Sequence, residues 1–127
     1  MGKRSINTEK APAAIGPYSQ AIEINNMIYT SGMLPVDPKT GEMPEGAAAQ
    51  AEQAFLNIKE LLTACGTDTK QVIKTTVFIK NMNDFGTING IYEKYFGDVF
   101  PARSCVEVAR LPKDALLEIE VVAVKEQ

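Results

Sequence analysis

The chain has 127 residues, 45% of them hydrophobic and 23% charged, with a formal charge of −3. That describes one domain able to bury its own core, and it is a poor match for sequence-independent nucleic-acid binding, which needs a basic footprint. There is no histidine, which excludes Ser-His-Asp and Cys-His catalytic arrangements and every histidine-ligated metal site.

The opening Met1-Gly2-Lys3-Arg4-Ser5-Ile6 carries positive charge, but no apolar segment follows it, and Ile6 stands where N-myristoylation requires Ser or Thr. No stretch reaches the length of a membrane span. A cytoplasmic protein is therefore expected. Cys65 and Cys105 form no CxxC pair. The sequence leaves a disulfide between them open, and two reduced thiols are the expectation for that compartment.

Residues 18–24 and 27–32 read as two short strands, with Asn25-Asn26 as a tight turn because Asn tolerates positive φ. Residues 33–46, with three prolines and two glycines, are a loop. Residues 47–65 read as a helix: Ala51, Ala54, Phe55, Ile58, Leu61, Leu62 and Cys65 recur at helical spacing, and Gly66 is the stop. Residues 72–80 form a β-branched strand. A second helix, capped by Asn83 or Asp84, runs through Phe96. Residues 102–109 and 115–124 are the last two strands, broken by Pro112. The order ββ-α-β-α-ββ predicts a two-layer α+β domain with both helices on one sheet face.

Strand alternation extends this. Leu117, Ile119, Val121 and Ala123 share one face, opposite Glu118 and Glu120. In 72–80, Ile73, Thr75, Val77 and Ile79 form the apolar side. In 102–109 the more apolar side is Ser104, Val106 and Val108, opposite Arg103, Cys105 and Glu107. If every apolar side meets the helices, Arg103, Glu107, Glu118 and Glu120 gather on the opposite face. That face is either solvated, as in many antiparallel sheets, or enclosed in an assembly where its charges pair or bind a ligand.

Few residues could carry chemistry. Arg103 could hold a carboxylate through two parallel hydrogen bonds, or could pair with Glu107 or Glu118. Glu118 and Glu120 could divide acid and base roles, or could reflect simple strand alternation. Cys105 lacks a histidine to activate it and reads as a small apolar residue. Tyr18, Tyr92 and Tyr95 could line a pocket or belong to the core. No glycine pattern for cradling phosphate is present.

The run Phe100-Pro101-Ala102-Arg103-Ser104-Cys105-Val106-Glu107-Val108-Ala109-Arg110-Leu111-Pro112-Lys113-Asp114, continued by Leu117-Glu118-Ile119-Glu120, closely resembles the signature of the RidA/YjgF family of imine deaminases. The opening Ala11-Pro12-Ala13-Ala14-Ile15-Gly16-Pro17-Tyr18-Ser19-Gln20, Thr30-Ser31-Gly32 and Val77-Phe78-Ile79 resemble it too, so the likeness spans essentially the whole chain. The resemblance implies a chorismate-mutase-like fold: a six-stranded mixed sheet with two helices on one face. It implies a homotrimer with three inter-subunit clefts, and hydrolysis of 2-iminopropanoate and 2-iminobutanoate to 2-keto acids and ammonia without cofactor or metal. By the same resemblance Arg103 would bind the substrate carboxylate, with the Cys105 N–H as an added donor, and Glu118 would orient the attacking water. Tyr18, Ser31, Gly32 and Asn89 would line the cleft. Relatives linked to translation inhibition, chaperone-like behaviour and gene regulation leave a second reading: a small-carboxylate-binding regulatory module without essential turnover. A ribonuclease, the activity of other relatives, is argued against by the charge of −3, the absence of histidine and the lack of a basic run with interleaved aromatics.

Overall fold

The computed structural model describes residues 2–125. Eight elements follow in chain order: β1 (Arg4–Ile6), β2 (Ala21–Ile24), β3 (Met27–Thr30), α1 (Ala47–Ala64), β4 (Val72–Ile79), α2 (Phe85–Phe96), β5 (Ala102–Glu107) and β6 (Leu117–Val124). The strands form one six-stranded sheet in the order β1-β2-β3-β6-β4-β5. Every neighbouring pair is antiparallel except β4 and β5, which are parallel and joined through α2, as a parallel pair requires a crossover connection. Both helices lie on one face of this mixed sheet.

Local chemistry explains most boundaries. Asn25 and Asn26 both have positive φ, 50° and 64°, and close the β2–β3 hairpin as expected. Helix α1 ends at Gly66, whose φ of +82° lets the Gly66 and Thr67 N–H groups turn back to the Thr63 and Leu62 carbonyls. The start of α2 differs from expectation. A 3-10 turn at Met82–Asp84 precedes it, and the capping side chain is Asn81, which accepts from the Asn83 N–H at 2.9 Å. Asp84 makes no side-chain cap.

Strand β1 was not anticipated from the residues; three residues are too few to show alternation. The expected strand over 18–24 begins only at Ala21, because the Tyr18 N–H turns back to the Gly16 carbonyl. The strand expected over 27–32 ends at Thr30, whose hydroxyl, not a backbone carbonyl, accepts from the Val121 N–H.

Under the helices, Phe55 is fully buried and meets Tyr92, Tyr95 and Phe96 edge-on at 5.7–5.9 Å between ring centres. Leu117, Ile119, Val121 and Ala123 of β6 point into this core, as their alternation predicts. In β4, Thr75, Val77 and Ile79 do likewise, but a bulge between Val72 and Lys74 buries Val72 and turns Ile73 outward.

The predicted face of β5 is reversed. Arg103 pairs with buried Thr75 and Cys105 with buried Val77, so Arg103, Cys105 and Glu107 lie on the helix side. Val106 faces away and is exposed. The expected gathering of Arg103, Glu107, Glu118 and Glu120 therefore does not form within one chain. Glu118 and Glu120 are on the far face, and Arg103 and Glu107 are not.

Candidate active site

Strand β5 is an edge strand, and its one backbone bond beyond the strand fixes the direction of the others. The Val108 N–H donates to the Ile79 carbonyl of β4 at 2.9 Å. Successive residues of a strand point their N–H groups to opposite sides. The N–H groups of Arg103, Cys105 and Glu107 therefore face the open edge of the sheet, unused by the ladder.

At this edge Arg103 sits above α2. Its guanidinium lies 4.6 Å from the Tyr92 ring centre and 5.5 Å from that of Phe85, a cation–π geometry. One terminal nitrogen donates to Asn89 Oδ1 at 2.8 Å. Tyr92 is itself fixed from below, since its hydroxyl and that of fully buried Thr75 share a 2.7 Å hydrogen bond. The predicted ion pair with Glu107 or Glu118 is absent among the described residues; Glu107 instead accepts from the Met82 N–H at 2.7 Å. The result is an exposed guanidinium, held in orientation, that forms no ion pair with a carboxylate among the described residues. Asn89, Tyr92, Glu93, Phe100, Pro101 and Arg103 border a cleft of about 500 Å³ beside it, and Glu93 makes no ion pair with Arg103. Sequence reasoning left Tyr92 open between a pocket and the core and put Thr75 on the apolar side of its strand; their place beneath Arg103 depends on the β4–β5 register.

Cys105 neighbours Arg103 on the same face. Burial pushes its thiol up, and the Arg103 charge opposes that only in part. Cys65 is pushed up to about 11 by burial. Neither sulfur is a ready nucleophile at neutral pH, and both are free thiols.

A second cluster lies elsewhere. Tyr18, Ser31 and Gly32 share a cleft of about 280 Å³ with Pro12, Ile15 and Lys113. The Ser31 hydroxyl donates to the Ser19 carbonyl at 2.6 Å, which ties the end of β3 to the segment carrying Tyr18. The Glu118 carboxylate packs on Gly32: a Cβ there would lie 2.6 Å from its Oε2 and 2.8 Å from its Cδ. Burial, and then the charge of Glu120, raise the Glu118 pKa above the usual glutamate value. No hydrogen bond from a described residue holds this carboxylate, so it is available to a water or a ligand.

Gly32→Ala should thus displace the reactive end of Glu118 without unfolding the chain, because the obstacle is a flexible side chain. A misplacement of about 1 Å costs about a hundredfold in rate. An unchanged turnover with an unchanged melting temperature would show that the contact has no functional weight.

The two clusters are separate within one chain. Arg103 and Glu118 are two strand spacings apart, about 10 Å, and displaced by three residues along β4, about another 10 Å, on opposite faces of the sheet. A small acid cannot touch both groups of the same protomer. Arg103, Asn89 and the Cys105 N–H form one cluster; Tyr18, Ser31, Gly32 and Glu118 form the other.

A mixed α+β domain presenting an oriented arginine beside edge N–H groups has the donors to bind a small carboxylate. Comparison with known proteins identifies its family. The family model described as Endoribonuclease L-PSP matches residues 8–125. The 2-iminobutanoate/2-iminopropanoate deaminase of Escherichia coli strain K12 is 55% identical over 125 residues, covering 96% of this chain and 98% of that protein. The same-named protein of Salmonella typhimurium is 53% identical, with the same coverage. Among solved structures, the YjgF gene product of E. coli superposes with a TM-score of 0.93 at 54% identity, covering 97% of this chain and 99% of that one. E. coli TdcF with bound serine matches at TM-score 0.93 and 47% identity, with the same coverage. The chain belongs to the RidA/YjgF family.

Proposed function

We propose that this protein hydrolyses 2-imino acids, 2-iminopropanoate and 2-iminobutanoate among them, to 2-keto acids and ammonia. The observation that carries this reading is the Arg103 guanidinium, oriented by Asn89, Tyr92 and Phe85 and left without a carboxylate of its own. Two parallel hydrogen bonds from such a group fit a substrate carboxylate, and the Cys105 N–H at the sheet edge is a third donor. The deaminase names of relatives at 53–55% identity support the substrate class.

In this mechanism Arg103 and the Cys105 N–H hold the carboxylate, which fixes C2 of the imine. Glu118 orients a water and accepts one of its protons as the oxygen bonds to C2. Burial and the Glu120 charge raise its pKa, which favours the carboxyl holding that proton and returning it to nitrogen, so that the imine nitrogen becomes an amine. The same carboxylate then takes the hydroxyl proton of the tetrahedral adduct and passes it to the amine, so ammonia leaves and the C2 carbonyl forms. Positioning supplies most of the rate, since imines hydrolyse in water unaided.

Because the two clusters are separate in one chain, a complete site takes Arg103 from one copy and the Tyr18–Ser31–Gly32–Glu118 cluster from another. The assembly in this reading is a homotrimer with three inter-subunit clefts, working in the cytoplasm. The far sheet face supports it: Tyr29 and Val106 stand exposed there beside Glu118 and Glu120, an unusual surface for a free monomer. Sedimentation at micromolar concentration should give three times the 13.8 kDa chain mass; a monomer would overturn the shared site. The ribonuclease description of the family model draws no support from this chain's acidic charge and absence of histidine.

The activity is tested by coupling. A threonine or serine dehydratase generates the imine, and keto-acid release is followed with and without this protein in the presence of semicarbazide, which traps free imine. Faster keto-acid release and less trapped imine are expected. A rate equal to buffer across several imines would move the function to the ligand-binding, regulatory reading.

A further inference from the structure

Gln20 is the residue just before β2, and its side chain is 3% exposed. Its whole carboxamide is committed to one segment. Oε1 accepts from the Thr8 N–H at 2.6 Å, and Nε2 donates to the carbonyls of Pro12 at 2.7 Å and Thr8 at 3.1 Å, with Ala11 at 3.3 Å sharing a proton. An N–H on one side and carbonyls on the other set the orientation of the amide.

Residues 8–17 belong to no helix or strand. Among the described residues, the hydrogen bonds that tie them to the sheet all run through this one carboxamide. Of its side chains Ala11 alone is fully buried, with Thr8, Pro12 and Ala14 half-buried, and Ile15 is 81% exposed. Yet this strap supplies Pro12, Ala13 and Ile15 to the wall of the Tyr18–Ser31–Gly32 cleft. Gln20 also reaches that cleft through its backbone, because its carbonyl accepts the Ser31 N–H at 2.9 Å.

We infer that Gln20 is a positioning residue of the cleft: its carboxamide holds the 8–17 strap as the cleft wall, and so sets substrate affinity without taking part in turnover. A glutamine does this where an apolar residue cannot, because the strap presents one donor and several acceptors that would otherwise be buried unpaired. The inference rests on the deaminase reading for its kinetic consequence and on the strap geometry alone for its structural one.

The test uses the full chain in two variants. Gln20→Met keeps the length and removes every bond to the strap. Thr8→Pro leaves Gln20 in place and removes the N–H that Oε1 accepts, together with the Thr8 hydroxyl that accepts the Lys10 N–H at 3.2 Å, on a partly exposed residue outside the core, so its kinetic effect is the readout that bears on Gln20. KM should rise about tenfold in Gln20→Met, the loss of one to two net hydrogen bonds, with kcat within about twofold. Thr8→Pro should give a smaller rise of the same kind. Trypsin cleavage at Lys10–Ala11 should accelerate about tenfold in Gln20→Met, while cleavage elsewhere is unchanged, because a released strap opens locally.

A folded Gln20→Met with wild-type KM overturns the inference, as does a fall in kcat with KM unchanged. Should Gln20→Met fail to fold, Thr8→Pro decides by the same two readouts. The trypsin rate needs no substrate. Unchanged cleavage at Lys10 sinks the strap whether or not the wild type turns imines over, whereas a silent wild type with protected Lys10 sinks only the deaminase reading.

Discussion

Arg103→Lys is expected to fold normally and to lose about a hundredfold or more in kcat/KM. The positive charge survives, so the loss measures geometry. A guanidinium offers a planar fork to a carboxylate, and an ammonium offers one point. Here the fork is also held: Asn89 Oδ1 takes one terminal N–H at 2.8 Å, and the Tyr92 ring lies 4.6 Å below. A lysine ammonium neither stacks in that manner nor reaches both oxygens. One charged hydrogen bond contributes about 1.5–3 kcal/mol, and 2.7 kcal/mol is about a hundredfold. Stability should move by no more than about 0.5 kcal/mol, because Arg103 is exposed and in no ion pair. The coupled assay and a denaturant titration measure the two quantities. A lysine variant with wild-type kcat/KM would remove Arg103 from the substrate-binding role.

How much of this was legible without the structure varies by element. Helix α1, its stop at Gly66, the Asn25-Asn26 turn and the inward face of β6 follow from local chemistry, because one buried stripe or one dihedral demand decides each. The face of β5 does not. It is an edge strand, and of Ala102–Glu107 only Cys105 is even half-buried, so hydrophobic alternation carries almost no information there. The register with β4 decides it, and register is a non-local property. Choosing Val106 as the inward residue put Arg103 on the Glu118 face. The actual parity separates them, which is why the proposed site draws on a second copy. Asn81 displaced Asn83 and Asp84 as the cap because a 3-10 turn intervenes. The site residues themselves came from the family likeness: Arg103, Cys105 and Glu118 from Phe100–Glu120, Tyr18, Ser31 and Gly32 from the opening runs, and Asn89 from a matching family position; residue patterns alone had left Arg103 and Glu118 open between a site and ordinary surface charge. Gln20 carried no signal beyond its place in the opening motif, since what distinguishes it is burial.

Glu118→Gln should lower kcat and at the same time stabilise the fold at neutral pH. Glu118 lies in a partly buried position beside Glu120, so its folded pKa is above the unfolded value, first from burial and then from that neighbouring charge. A carboxyl raised in this way binds its proton more tightly in the native state. Stability is therefore lost as pH rises from the ordinary glutamate range through the folded pKa, where the native chain must accept a charge it disfavours. Glutamine never takes that charge. The variant should unfold at higher denaturant than wild type at pH 7, and the difference should vanish on acidification below the ordinary glutamate pKa. Loss of the group that orients and deprotonates water should cut kcat by about 10²–10⁴. A second variant fixes the cause. Glu120→Gln removes the like charge, lets the Glu118 pKa fall, and should shift the acid limb of the kcat profile to lower pH while activity is retained. A Glu118→Gln protein less stable than wild type at neutral pH would mean that the carboxylate is held by favourable partners in the assembly. Full kcat in that variant would take the water-activating role from Glu118 altogether. The combination expected, a site group that costs the fold stability in its charged state and is kept for turnover, is the usual mark of a residue placed for chemistry and not for packing.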